Sequence, residues 1–272
     1  MAPDALVLAL KSFSLPTMAA LYESALQQAE SENWGYRKFL QYLCDSEAQD
    51  RRERKVTRLL QQAGLPTGKG LGNLDESQLP IKVRRLLPTL LDGAFIERAE
   101  NVLAFGLPGR GKTHFLAAVG RELILRHRHT VLFTPTFKLV QQLLVAKKEL
   151  RLDSLLRKLD RYAVVIIDDL GYVQQDREEM EVLFTLLADR YERSSVMITS
   201  NLPFSQWERI FKDPMTTAAA IDRLVHHSVI LELNLSSYRL EQSQKTKETE
   251  SIPATSAVPQ ESAQQVTGDQ NV

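Results

Sequence analysis

Thirty-four Lys and Arg balance thirty-four Asp and Glu over 272 residues, and a formal charge of zero gives no bulk pull toward nucleic acid or membrane. A chain that is 43% hydrophobic and 25% charged has ordinary globular composition, which excludes collagen-like and wholly disordered classes. A single cysteine, Cys44, excludes an intrachain disulfide framework and a cysteine-rich zinc site. It fits a reducing compartment and reads as a small core residue.

At the N-terminus, Ala5 to Leu10 is apolar, but Asp4 precedes it and no A-x-A site follows, so no secretory signal is expected. Runs of about 18 apolar residues are absent from the sequence, which predicts no membrane span and a cytoplasmic protein. Residues 1–100 carry helical spacing, interrupted by Pro16, by the stretch from Gly64-Leu65-Pro66 to Gly72, and by Pro80 and Pro88. The longest helix expected runs from Tyr36 to Ala63, with Leu43, Val56, Leu59, Leu60 and Ala63 at threes and fours and Gly64 as its stop.

From Asn101 the period changes. VLAF (102–105), TVLFT (130–134), AVVII (163–167), SVMIT (195–199) and SVILEL (228–233) read as buried strands, separated by helices such as Lys112–Arg126 and Glu178–Glu192. Such alternation predicts a parallel α/β sheet covered on both faces. From Glu241 onward there is no aromatic residue, and two lysines stand against five carboxylates, so 241–272 is expected to be a disordered acidic tail. The predicted organisation is a small helical domain at 1–75, a connector at 76–100, an α/β core at 101–240 and the tail at 241–272.

The first strand leads directly into Gly106-Leu107-Pro108-Gly109-Arg110-Gly111-Lys112-Thr113, which fulfils G-x-x-x-x-G-K-[ST] and opens a helix. Glycines let the backbone N–H groups curl inward around phosphate oxygens, and the helix N-terminus adds partial positive charge. Lys112 supplies a point charge to the β/γ-phosphates, and the Thr113 hydroxyl is a ligand for Mg²⁺. The third strand ends in Asp168-Asp169, of which Asp168 is the expected metal-side carboxylate and Asp169 the group that orients water. Asn201 after the fourth strand either reaches the γ-phosphate or favours the turn before Pro203. Arg223 and Arg239, taken alone, read as surface arginines. His226 and His227 have no metal-type partner nearby in the sequence.

Within the long helix, Arg51, Arg54, Lys55 and Arg58 fall at i, i+3, i+4 and i+7, with Arg52 adjacent and only Glu53 interrupting. This stripe is either a solvated face or a track for a phosphate backbone, read without base contacts. Lys82, Arg84 and Arg85 form a weaker basic candidate.

The series GLPGRGKT, VVIIDDLGY, MITSNLPFSQW, AAIDRLVHH and SSYR resembles the IstB-like transposition helper ATPases of bacterial insertion sequences, AAA+ proteins related to helicase loaders. The likeness covers nearly all of 1–240. It implies an AAA+ P-loop core with a parallel five-stranded sheet, preceded by a small all-helical domain, in which the strand ending at Asn201 separates those bearing Gly106 and Asp168. It also implies ATP and Mg²⁺ as cofactors, Asn201 as a first sensor of the γ-phosphate, Arg239 as a second, and Arg223 as an arginine finger acting in trans within a homo-oligomer.

Family membership favours contact between the 51–58 stripe and double-stranded DNA, and a partner transposase to which deformed target DNA is delivered. Alternatives are a replicative helicase loader and a nucleotide-gated architectural DNA-binding protein. The last is suggested by Asp169, which stands where most AAA+ proteins have Glu. The tail is too short and polar for the helical lid that many of them carry.

Overall fold

The computed structural model describes residues 5–172, 176–211 and 213–233. Arg239 and the 241–272 segment lie outside them. Three helices come first: α1 (Ala5–Ser12), α2 (Pro16–Ser31) and α3 (Tyr36–Ala63). Pro16 opens α2, where its fixed φ suits the first turn, and Gly64 ends α3 in the left-handed region at φ 64.

Glu47, buried on α3, ties the pair together. Its Oε2 accepts hydrogen bonds from the Thr17 and Met18 amides at 2.8 and 3.1 Å, satisfying donors that the start of α2 leaves open. Burial pushes the Glu47 carboxyl up, but those amides and the Arg51 and Arg54 guanidiniums outweigh it and hold the group below its ordinary value. Cys44, expected in the core, is exposed. The buried positions of α3 are Leu43, Glu47, Leu59 and Ala63, and Cys44 lies one step round the helix from Leu43.

A connector with two short 3-10 turns, Leu71–Asn73 and Glu76–Gln78, leads to α4 (Ile81–Asp92) and α5 (Ala94–Glu97). Pro88 was expected to break a helix, yet it lies inside α4. Four apolar side chains on this helix, Val83, Leu87, Leu90 and Leu91, are buried, and that packing offsets the lost backbone hydrogen bond.

The remaining chain alternates β1 (Asn101–Phe105), α6 (Lys112–His127), β2 (Val131–Pro135), α7 (Thr136–Lys148), α8 (Leu152–Leu159), β3 (Val164–Leu170), α9 (Arg177–Arg190), β4 (Ser195–Ser200), α10 (Glu208–Phe211), α11 (Pro214–Val225) and β5 (Ser228–Glu232). The five strands pair in parallel in the order β2-β3-β4-β1-β5. This is the sheet expected from the sequence, with β4 between the strands that carry the glycine-rich loop and the acidic pair.

Both sheet faces are covered, which is why the strands read as continuous apolar runs. Successive residues of β3 point to opposite sides. Val164 and Ile166 join Leu59 and Ala63 of α3 with α4 and α6, whereas Val165 and Ile167 join α7, α8, α9 and α11. The end of the basic helix is therefore built into one core layer. In the other, the buried Arg190 guanidinium donates to the Leu159, Tyr162 and Ser195 carbonyls, and burial lowers its pKa to about 10.

Candidate functional site

Chain geometry at the end of β1 demands glycine. Gly106 has φ 151, and a Cβ there would lie 2.4 Å from the Leu233 carbonyl oxygen, so no other residue fits without moving the backbone beside β5. Gly111 at φ 80 turns the chain directly into α6. The loop of Gly106, Pro108, Gly109, Arg110 and Gly111 thus ends on the first turn of a 16-residue helix, whose open N–H groups form a seat for anions. The buried Lys112 ammonium donates to the Gly106 and Leu107 carbonyls at 2.8 and 3.0 Å, inside the same loop.

The acidic pair is divided by a local irregularity. Pairing of β3 with β4 shifts between Ile167 and Leu170, and Asp169 adopts a left-handed φ of 59. A bulge of this kind re-aims side chains. As a result Asp168 is buried and Asp169 exposed. The Asp168 carbonyl accepts from Thr136 Oγ1 at 2.8 Å, which fixes the strand end against the start of α7.

Asp168 accepts hydrogen bonds from Thr199 Oγ1 at 2.7 Å and from Thr113. Burial pushes its carboxyl above the ordinary value and Asp169 adds to the push, while Thr199, Thr113 and the Lys69 ammonium act in the opposite sense. Among the described residues Asp168 forms no ion pair. Hydroxyl and carboxylate oxygens at the foot of a phosphate-type loop are the hard donors that Mg²⁺ prefers, and the residues present fit that ion.

Thr199 escaped the sequence reading. Its Oγ1 donates to Asp168 and accepts the Asp169 amide at 2.8 Å, so one hydroxyl sets both members of the pair. The available signal was a threonine at the end of an otherwise apolar run. Next to it, Ser200 Oγ donates to the Leu170 carbonyl at 2.9 Å and accepts the Leu202 amide at 3.1 Å. Buried Trp207 donates to the Leu202 carbonyl and packs among Phe105, Phe204 and Phe211. Asn201 is held inside this turn, and its buried Oδ1 has no hydrogen-bond partner among the described residues. The connector also reaches the site, because His114 Nε2 lies 3.1 Å from the Gly70 carbonyl oxygen.

Arg223 lies on α11 with its guanidinium over the Phe184 ring at 5.0 Å and donates to the Ala219 carbonyl. No hydrogen bond or ion pair among the described residues joins it to the loop of its own chain. His226 and His227, read as lacking partners, meet Glu192, and the ligand atoms of these exposed residues lie within 4.8 Å of one another.

The basic stripe is exposed but unevenly committed. Arg51 donates to the Ser14 carbonyl at 2.9 Å and lies 3.5 Å from Glu47; Arg54 pairs with Glu47 and Asp50 at 3.1 and 3.0 Å. Arg52, Lys55 and Arg58 form no ion pair with any described residue. Arg51 and Arg54 hold the α2–α3 hairpin, and the other three point their charge to solvent.

A parallel sheet in this order, with Gly106–Thr113 after β1 and Asp168 near the end of β3, defines a P-loop NTPase of the AAA+ class. The chain belongs to the IstB-like ATP binding proteins, a family that matches residues 8–246. It is 42% identical over 246 residues to an insertion sequence ATP-binding protein of Sinorhizobium fredii, covering 90% of this chain and 82% of that one. The IS21 insertion sequence ATP-binding protein of Pseudomonas aeruginosa is 40% identical, covering 82% and 84%.

Among solved structures, DnaI superposes with a TM-score of 0.52 at 20% identity over 63% of this chain and 95% of that one. AMPPCP-bound DnaA from Aquifex aeolicus gives 0.53 at 16% identity over 71% and 59%. These two likenesses are of fold. No described helix is long and apolar enough to cross a membrane.

Proposed function

We propose that this protein is an ATP-dependent helper of transposition, which oligomerises on duplex DNA, deforms it and delivers it to a partner transposase. The observation that carries the reading is the meeting of Thr113 and Asp168 beneath the Gly106–Thr113 loop, in a chain of the insertion-sequence family. Thr113 and Asp168 would hold Mg²⁺, and Lys112 with the loop amides would hold the phosphates. When bound, Mg²⁺·ATP supplies the phosphoanhydride that is cleaved and the divalent charge that steadies it.

The chain's own residues do the rest. Thr199 fixes the Asp168 carboxylate that would hold the ion. Asp169, exposed on its bulge, orients a water molecule, and the Asn201 amide senses the terminal phosphate or that water. Arg223, which packs on Phe184 and makes no bond to its own loop among the described residues, serves a neighbouring subunit, so hydrolysis depends on assembly and resets it. Arg52, Lys55 and Arg58 provide sequence-independent contacts to phosphate, which suit a protein that selects targets by deformability.

Electron microscopy of the full chain with duplex DNA tests this reading. With ATP, ordered assemblies on the duplex are expected, and Lys112→Ala is expected to abolish them. Equal assembly without nucleotide would overturn the proposal. Preference for single strands in a competition with duplex would instead favour a helicase loader.

A further inference from the structure

The basic stripe of α3 meets a cation from a distant part of the chain. A cleft of about 500 Å³ lies between α2, α3 and the far end of α6, with Arg51, Arg52, Lys55 and Arg128 in its lining. Its one carboxylate, Glu47, is already committed to Arg51, Arg54 and two α2 amides. Leu15, Met18 and Ala48 form an apolar floor. Like charges above a low-dielectric floor focus the field into the cleft, so it attracts anions.

Arg128 is the informative member. It caps the C-terminus of α6 in the left-handed region at φ 58, where glycine is the usual residue. Its exposed guanidinium forms no ion pair or hydrogen bond with any described residue. A long cation thus occupies a position where the backbone favours no side chain. The helix that ends at Arg128 begins at Lys112, so the phosphate-type loop and the cleft sit at opposite ends of one rod of about 24 Å, at roughly 1.5 Å per residue.

We propose that this cleft seats the phosphate backbone of duplex DNA, and that Arg128 contributes a phosphate contact from the ATPase core beside Arg52 and Lys55. The inference rests on the DNA reading above and deepens it. DNA would then be gripped by the N-terminal helices and by the nucleotide-binding helix together, which gives α6 a direct part in coupling the two ligands. Continuity of the cleft with the exposed cations of α3 favours a nucleic acid backbone over an acidic protein segment, because the charges follow one helix at regular spacing.

The test is the salt dependence of affinity for a labelled duplex of mixed sequence, measured on the full chain with a non-hydrolysable ATP analogue. Arg128→Gly is expected to lower affinity several-fold and to reduce the slope of log affinity against log salt by about 0.9, the share of one phosphate contact. Its thermal stability should stay near wild type, because glycine adopts this backbone without strain and that offsets the lost attraction of the cation for the helix end. Affinity for a fluorescent ATP should not change. Arg128→Glu should weaken DNA binding further.

A wild-type slope in both variants, with Arg58→Ala still reducing it, overturns the role of Arg128 and leaves the DNA reading standing. Absence of duplex binding by the wild-type chain at any salt concentration sinks both. A drop in DNA affinity matched by an equal drop in ATP affinity would show a folding defect and also count against the inference.

Discussion

Thr199 serves two partners through one oxygen, donating to the Asp168 carboxylate and accepting the Asp169 amide. Replacing it with valine keeps the shape and removes both bonds, at a cost of about 1–3 kcal/mol for the groups left unsatisfied. Thr199→Val should therefore lower stability to denaturant modestly. It should also reduce the Mg²⁺-dependent part of ATP affinity by about tenfold, the equivalent of roughly 1.4 kcal/mol. Titration of a fluorescent ATP with and without Mg²⁺ checks this, and equal loss in both conditions would show that Asp168 does not depend on Thr199 to meet the ion. The loop beside it was legible in the sequence because its requirements are local: a left-handed turn at Gly111, a close approach at Gly106 and a helix start lie within a few residues. Thr199 was not, because it acts on residues of another strand.

One buried carboxylate, Glu47, ties α2 to α3, and part of the pair's stability should follow that group's titration. Glu47 has a pKa below its ordinary value of 4.5 in the folded chain. A depressed carboxylate contributes stability that is present above the unfolded value and is lost as pH falls through the folded one. Thermal melts followed by helical circular dichroism should thus show a loss of stability as pH falls below about 4.5. Glu47→Gln should be less stable at neutral pH and show a weaker acid dependence. An unchanged pH profile in that variant would remove Glu47 as the latch.

Helix α3 itself was readable from its period and its glycine stop, and so was its charge stripe. What periodicity does not reveal is that Arg51 and Arg54 spend their donors inside the hairpin, or that Pro88 is carried within α4 by the packing around it. The exposure of Cys44 has the same origin, since burial on a helix is decided by what the helix meets.

At the scale of the molecule, the nucleotide loop, the acidic pair and Asn201 converge at the carboxyl ends of adjacent strands, while Arg223 packs against Phe184 on another helix. Arg223→Ala should leave ATP binding by the isolated chain unchanged. It should reduce DNA-stimulated hydrolysis by about 10³-fold, a magnitude typical of a lost arginine finger. Full stimulated activity in the variant would sink the in-trans assignment, and mixing it with a Lys112→Ala chain should restore part of the activity if the two sites lie on neighbouring subunits.

By itself the sequence determined where the phosphate loop stands, the order of strands and helices, and the acidic pair that follows the third strand. Glycine torsions, apolar runs and helix starts are set by neighbours along the chain, and a family's run of motifs keeps them in order. Only the tertiary structure decided which cations remain available, that a bulge turns Asp168 inward and Asp169 outward, and that Thr199 joins them. It alone placed Arg128 beside a stripe from a distant stretch of the chain, because packing in three dimensions, and not spacing in sequence, brings such side chains within reach of one another.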